Sequence, residues 1–174
     1  MTNKVLVTYA SRAGSTAGVA EEIGKTLQES GVPVDVYPMQ KVTDLTPYRA
    51  VIAGSAIQGN EWLPEAMQFI RAHRQELARK PFAAFLVCMT LAIKNEKWRN
   101  EASVRGWLAP VRALVKPASE GFFAGALDIS KIPSFSDRLK FRVSTMTGVW
   151  SEDDHRDWEA IRTWARELPA QLGL

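Results

Sequence analysis

The stretch Lys4-Val5-Leu6-Val7-Thr8-Tyr9-Ala10-Ser11-Arg12-Ala13-Gly14-Ser15-Thr16 decides the architecture. Lys4–Tyr9 is an apolar run of the kind found in a central parallel strand buried on both faces. Tyr9–Thr16 then breaks into small and hydroxyl residues. From Thr16 to Ser30 the spacing turns helical, with Val19, Ala20, Ile23 and Leu27 on one face and Gly31 as a C-terminal stop. Strand, polar loop and helix in that order form the first half of a βαβ unit.

The same alternation continues along the chain. Pro33–Pro38 alternates Val34 and Val36 against Asp35 and Tyr37, as a strand nearer the sheet edge does. Ala50–Ser55 is a third strand. Leu63-Pro64 opens a helix with Met67, Ile70 and Leu77 inward, proline being tolerated in the first turn. Phe82–Met89 is a fourth strand, and Ser103–Val115 a helix that Pro110 should kink or shorten. Gly121–Leu127 is a fifth strand, and Trp158, Ile161, Ala165 and Leu168 mark a final helix. The fold class is therefore α/β: one domain over residues 1–174, a doubly wound five-stranded parallel sheet of order 2-1-3-4-5 with helices on both faces. Its ligand belongs outside the carboxyl ends of the strands, where the strand order reverses.

Three loops meet there. Ser11, Arg12, Ala13, Gly14, Ser15 and Thr16 lack the G-x-G-x-x-G of dinucleotide sites and the G-x-x-x-x-G-K-[ST] of nucleoside triphosphatases. They offer hydroxyls, a glycine and the free amides of a helix N-terminus, which suit a compact terminal phosphate. The competing reading is that Ser15 or Thr16 merely caps the helix. The second loop, Ser55, Ala56, Ile57, Gln58, Gly59 and Asn60, combines hydrogen-bonding groups with a glycine, and Ile57 or Trp62 could pack on a flat ring. The third is Thr90, Leu91, Ala92, Ile93, Lys94 and Asn95. A phosphate loop beside two mixed polar and apolar loops fits a phosphorylated planar heterocycle.

In Tyr9–Thr16 followed by Val51–Gly59 the chain resembles the flavodoxin superfamily. Within it the chain is most similar to the flavodoxin-type, menaquinone-dependent protoporphyrinogen IX dehydrogenases, through Phe69–His73, Asn95–Trp98, Phe123–Leu127 and the trailing Asp157-Trp158 helix. The resemblance implies FMN, its phosphate at Ser11–Thr16, its ring covered by Ser55–Asn60 on one side and Thr90–Lys94 on the other. Two departures stand out. Ser15 occupies the place of an asparagine before the last threonine, with Arg12 adding a cation, and Leu91 and Ile93 stand where many flavodoxins carry a tyrosine. The resemblance further implies an FMN-binding oxidoreductase, with quinone-dependent oxidation of protoporphyrinogen IX or a similar reduced substrate. A non-catalytic FMN electron carrier and a flavin-free interaction module are the other two readings. Carriers of this type are strongly acidic, whereas this chain has a net charge of +3 and a pI near 9.1.

The 27-residue span Asp128–Asp154 is long for a connection and reads as an insertion. Phe135, Leu139, Val143 and Met146 recur in it at near-helical spacing, beside Lys131, Arg138, Lys140 and Arg142. Such a segment either sits on an anionic membrane surface through 131–147 or packs its stripe on the domain. No apolar run approaches the roughly 20 residues of a membrane span, the start of the chain lacks a signal-peptide pattern, and the single Cys88 forms no internal disulfide. These features point to the cytoplasm; the membrane reading of 131–147 would add peripheral contact at the inner face of the membrane. The expected partners are a small redox substrate and a quinone, with a homodimer left open and no nucleic acid, since no recognition motif accompanies the basic charge.

The remaining residues read as structural. His73 stands between helical arginines on a solvated face, His155 at an acid-rich helix start, Cys88 in a buried strand, and Trp98, Trp107, Trp158 and Trp164 in helix packing. No catalytic side chain and no metal site is assigned, because a flavin would carry the redox chemistry itself.

Overall fold

The computed structural model of the chain describes residues 3–93, 95 and 99–174. Lys94 and most of the Asn95–Trp98 stretch, Trp98 included, lie outside them.

Strand β1 (Lys4–Ala10) sends Leu6 to one side of the sheet and Val5 and Val7 to the other, all fully buried, as the two-residue period of a strand requires. It pairs in parallel with β2 (Val34–Pro38) and β3 (Tyr48–Gln58). β3 pairs with β5 (Phe82–Cys88), and β5 with β6 (Ser119–Ala124), again in parallel. The parallel strands run β2-β1-β3-β5-β6, which is the expected order 2-1-3-4-5 once the extra strand is set aside.

That extra strand, β4 (Glu61–Trp62), pairs antiparallel with the end of β3. Gly59 and Asn60 both take positive φ, +60° and +67°, the backbone of a two-residue hairpin turn. The second expected ligand loop is thus largely the tip of a β-hairpin. Trp62 is sealed into the core rather than offered to a ring, whereas Ile57 remains at the surface of a cavity.

Helices cover both faces. Helix α1 (Ser15–Glu29) and α7 (Trp158–Leu172) pack with Val5, Val7, Ile52, Phe85 and Val87. On the other face α2 (Pro64–Ala72), α3 (Arg74–Leu77), α4 (Glu101–Gly106) and α5 (Ala109–Leu114) cover Leu6, Val51, Ala84 and Leu86. The helix expected over Ser103–Val115 is two helices. Pro110 sits in the first turn of α5, where its missing N–H costs nothing, so it starts a helix instead of kinking one. His73 also departs from its expected solvated position. Between α2 and α3 its ring lies 4.6 Å from that of Phe69 and its Nδ1 3.3 Å from Glu76.

The segment 128–154, read above as an insertion, folds as a 3-10 turn (Ile129–Lys131) and α6 (Phe135–Met146), started by the Ser134 hydroxyl accepting from the Asp137 amide. It returns to the sheet beside the end of β6. There the Leu127 amide donates to Asp153 O at 2.9 Å and the His155 amide to Gly125 O at 3.2 Å. The alternative in which its apolar stripe packs on the domain is corrected by exposure: Phe135 is 81%, Leu139 56%, Val143 53% and Met146 88% exposed. No helix among the described residues is long and apolar enough to cross a membrane.

Candidate functional site

At the carboxyl ends of β1, β3, β5 and β6 the chain leaves a cavity of about 620 Å³. Ser11, Arg12, Ala13 and Ser15 form one wall, Ala56, Ile57 and Gln58 a second, and Val87–Met89 with Gly125–Asp128 the floor. The insertion supplies the far wall through Ile132, Pro133, Asp137, Phe141, Ser144 and Trp150.

The first loop has the local chemistry of an anion cradle. Gly14 takes φ +90° and is the N-cap of α1 without a side-chain cap, and the first turn of α1 carries no acidic residue. Its amides are not masked by a carboxylate, and the helix dipole points positive into the cavity wall. The Ser11 hydroxyl accepts from the Gly14 amide at 3.0 Å and so fixes the loop. Thr16 is fully buried and its Oγ1 has no hydrogen-bond partner. The capping reading of Thr16 therefore fails: its hydroxyl satisfies no backbone group. An orphaned buried hydroxyl costs about 1–3 kcal/mol, and an acceptor such as a phosphate oxygen at the helix N-terminus would relieve that cost. The residues present thus fit a phosphate.

Two arginines brace this loop. Arg12 grips both carboxylate oxygens of Glu65 at the start of α2. Arg156, just past the insertion, donates from Nη1 to Ser15 O at 3.3 Å while Nε and Nη2 hold the two oxygens of Asp154 at 2.8 Å. Its guanidinium also lies over the Trp158 ring, 4.3 Å from the centroid, and it holds the Asp154 carboxyl below the usual carboxylate range.

In the second loop Ser55 is fully buried, its hydroxyl donating to Ala56 O at 2.7 Å and accepting from the Leu63 amide at 3.0 Å. It anchors the hairpin. The third loop, a 3-10 turn over Thr90–Ala92, lies partly elsewhere: Ala92 and Ile93 line a neighbouring cavity of about 550 Å³. Trp150 is a wall of both cavities. Its ring lies 5.3 Å from that of Phe141, and its indole N–H is buried without a partner.

Sequence reasoning missed Glu65, Arg156, Phe141 and Trp150, which reach the site from elements distant in sequence. The floor residues Gly125–Asp128 carried a usable signal, because they follow a parallel strand and so end at the ligand side of the sheet. Cys88 lines the cavity, yet burial pushes its thiol up to about 11, as expected of an inert core thiol.

A flavodoxin-domain family model matches residues 6–153. The chain belongs to the flavodoxin domain family. Within this family it is 26% identical, over 96% of its own length and 75% of the other's, to a protoporphyrinogen IX dehydrogenase [quinone] of Leishmania major. Among solved structures it is similar to a Streptococcus pneumoniae flavodoxin, at 18% identity and a TM-score of 0.57 with 97% of this chain and 99% of that one covered. It is also similar to a short-chain flavodoxin associated with a bacterial microcompartment, at 14% identity and a TM-score of 0.60 with 99% of each chain covered. A flavodoxin variant of Fusobacterium nucleatum bound to FMN matches at 11% identity and a TM-score of 0.55, with 99% of this chain and 98% of that one covered. At these identities the structures speak for the fold. The flavodoxin domain of this chain walls the crevice at the carboxyl ends of its sheet with residues 132–150.

Proposed function

We propose that this flavodoxin domain binds FMN and works as an oxidoreductase that passes electrons from a reduced substrate, protoporphyrinogen IX or a similar compound, to a quinone. The observation that carries the cofactor is the uncapped N-terminus of α1, which reaches the wall of a 620 Å³ cavity through Ser15 and holds the buried, unpartnered Thr16 hydroxyl in its first turn. The 26% identical Leishmania major relative supports the reaction class.

When bound, FMN would supply two-electron chemistry, and the balance per turnover is two electrons and two protons removed from the substrate and delivered to the quinone as quinol. The chain's own residues have simpler tasks. Ser11–Thr16 would hold the phosphate, with Gly14 shaping the loop and Thr16 donating its hydroxyl. Ala56–Gln58 would flank the ring system, Ile57 supplying apolar contact and Gln58 a side-chain amide. Phe141 and Trp150 would limit water and shape the space left for substrate. This inserted wall favours an enzyme over an electron carrier, which needs its cofactor edge open to a protein partner. The basic charge points the same way. In this reading the protein acts in the cytoplasm at the inner membrane face, touching the membrane through 131–147.

Fluorescence titration with FMN tests the first step: tight binding that falls at least tenfold in Thr16→Ala supports it, and no binding at micromolar FMN overturns it. Anaerobic turnover of a porphyrinogen with a soluble quinone, by the purified protein alone, tests the second. Failure to turn over with FMN bound would leave the carrier reading.

A further inference from the structure

Helix α6 is amphipathic in the reverse sense for a helix that covers a cavity. At 100° per residue, Phe135, Leu139, Val143 and Met146 fall within one quarter of its circumference, and all four are exposed. Asp137, Lys140, Phe141 and Ser144, on the opposite half, line the cavity. Among the described residues, four of the five exposed large hydrophobics of the chain lie on this single stripe. A stripe of that kind, on a helix with no buried residue, is an unfinished surface.

We infer that the outer face of α6 docks on an anionic lipid surface. The charges flanking the stripe select this occupant. Arg138 and Arg142 border it on one side, and Lys131, paired with Asp128 at 3.1 Å, precedes the helix, whereas the one carboxylate of the helix, Asp137, lies on the cavity side and is paired there with Lys140 at 3.3 Å. Apolar centre and basic flanks form the layout of a helix that lies in the headgroup region with its apolar side chains in the acyl boundary. A second copy of the chain fits less well. An isologous contact would set these basic flanks against each other, and four side chains on one short helix fall short of the roughly 800 Å² per partner of a stable interface.

The opposite face of the same helix walls the cavity. A docked α6 therefore holds the cavity at the lipid boundary, where an apolar quinone partitions. This last step rests on the quinone reading above; the docking itself does not.

The test is sedimentation of the purified full chain with vesicles of phosphatidylcholine alone or mixed with phosphatidylglycerol, at low and high salt. Binding is expected to the mixed vesicles, to weaken strongly in high salt as screening shortens the reach of the charges, and to drop at least tenfold in Phe135→Ser/Leu139→Ser. Lys131→Gln/Arg142→Gln is expected to lose the preference for anionic lipid. Unchanged FMN titration and thermal unfolding of each variant show that it folds and keep the cofactor reading separate. Equal binding of wild type and both variants, or none by any, overturns docking. So does a wild-type dimer that Phe135→Ser/Leu139→Ser converts to monomer without vesicle binding, which assigns the stripe to a second copy.

Discussion

Arg12 and Glu65, 53 residues apart, form a two-pronged ion pair, with Nη2 donating to Oε2 at 3.0 Å and Nη1 to Oε1. The cation that the first loop adds is therefore already committed to a carboxylate, and its net charge toward the cavity is small. Arg12 shapes the loop more than it attracts an anion. Arg12→Gln is expected to weaken FMN binding by less than tenfold, in line with the roughly 0.2–1 kcal/mol of an exposed ion pair. Glu65→Gln releases the guanidinium and should tighten FMN severalfold at low salt, the gain fading at high salt. Titration of both variants at two ionic strengths checks this. A hundredfold loss in Arg12→Gln would show that Arg12 meets the phosphate directly.

Thr16 gives a prediction with two opposite signs. Its hydroxyl is buried and unpaired in the ligand-free chain, so Thr16→Val removes a cost of about 1–3 kcal/mol at similar shape. The variant should unfold at a higher temperature than wild type without FMN. Its affinity for FMN should fall about tenfold to a hundredfold, because hydrogen bonds to charged groups contribute about 1.5–3 kcal/mol. Calorimetric melting of both proteins with and without FMN gives all four numbers. A Thr16→Val protein that is both less stable and undiminished in binding would remove Thr16 from the site.

Arg156 joins the exit of the insertion to the first turn of α1 across 141 residues of sequence. Gly18 makes room for it: a Cβ there would stand 2.5 Å from Arg156 Nη1. Arg156→Ala should loosen both partners, lowering FMN affinity and speeding tryptic cleavage in 131–142. Arg156→Lys should rescue little, because one ammonium cannot hold Asp154 and Ser15 together in the planar geometry of the fork. Unaltered proteolysis in Arg156→Ala would mean that α6 is held by the pairing of 125–127 with 153–155 alone.

What the sequence revealed and concealed follows from the range of each signal. The buried strands and covering helices were legible because periods of 2 and 3.6 are local, and Val5–Val7 or Ile23–Leu27 declare their faces without tertiary knowledge. The first loop was legible for the same reason: Ser11, Gly14 and Thr16 act within one turn. The hairpin at Gly59-Asn60 was missed because Ser55–Asn60 reads locally as a ligand loop, although two consecutive positive φ values also close a two-residue turn. Glu65, Phe141, Trp150 and Arg156 leave no local mark, since each reaches the site through tertiary folding. The stripe on α6 was visible as a stripe, but its outward direction is set by where the insertion rejoins the sheet at Gly125–Leu127.

Tyr48 predicts alkaline behaviour. Its hydroxyl donates to Asp35 at 3.2 Å, Asp35 also accepting from Lys4 at 3.0 Å. Burial first, and then this bond to a carboxylate, push the phenol up to about 12. In the unfolded chain a tyrosine titrates near 10. Between these values the unfolded state has released a proton that the folded state keeps, so it binds fewer protons and stability falls as pH rises. The contribution is fully present below about pH 10 and is lost progressively toward pH 12. Cys88, pushed from 9.0 to about 11, adds a loss of the same sign that begins lower. Tyr48→Phe should be less stable than wild type near neutrality, by about 1 kcal/mol for the lost hydrogen bond, and should lose less on going to about pH 11. Urea unfolding of wild type, Tyr48→Phe and Cys88→Ala at neutral and alkaline pH separates the two groups. Parallel losses in all three proteins would mean that other groups govern alkaline unfolding, and that the Tyr48–Asp35 bond does not hold the phenol protonated.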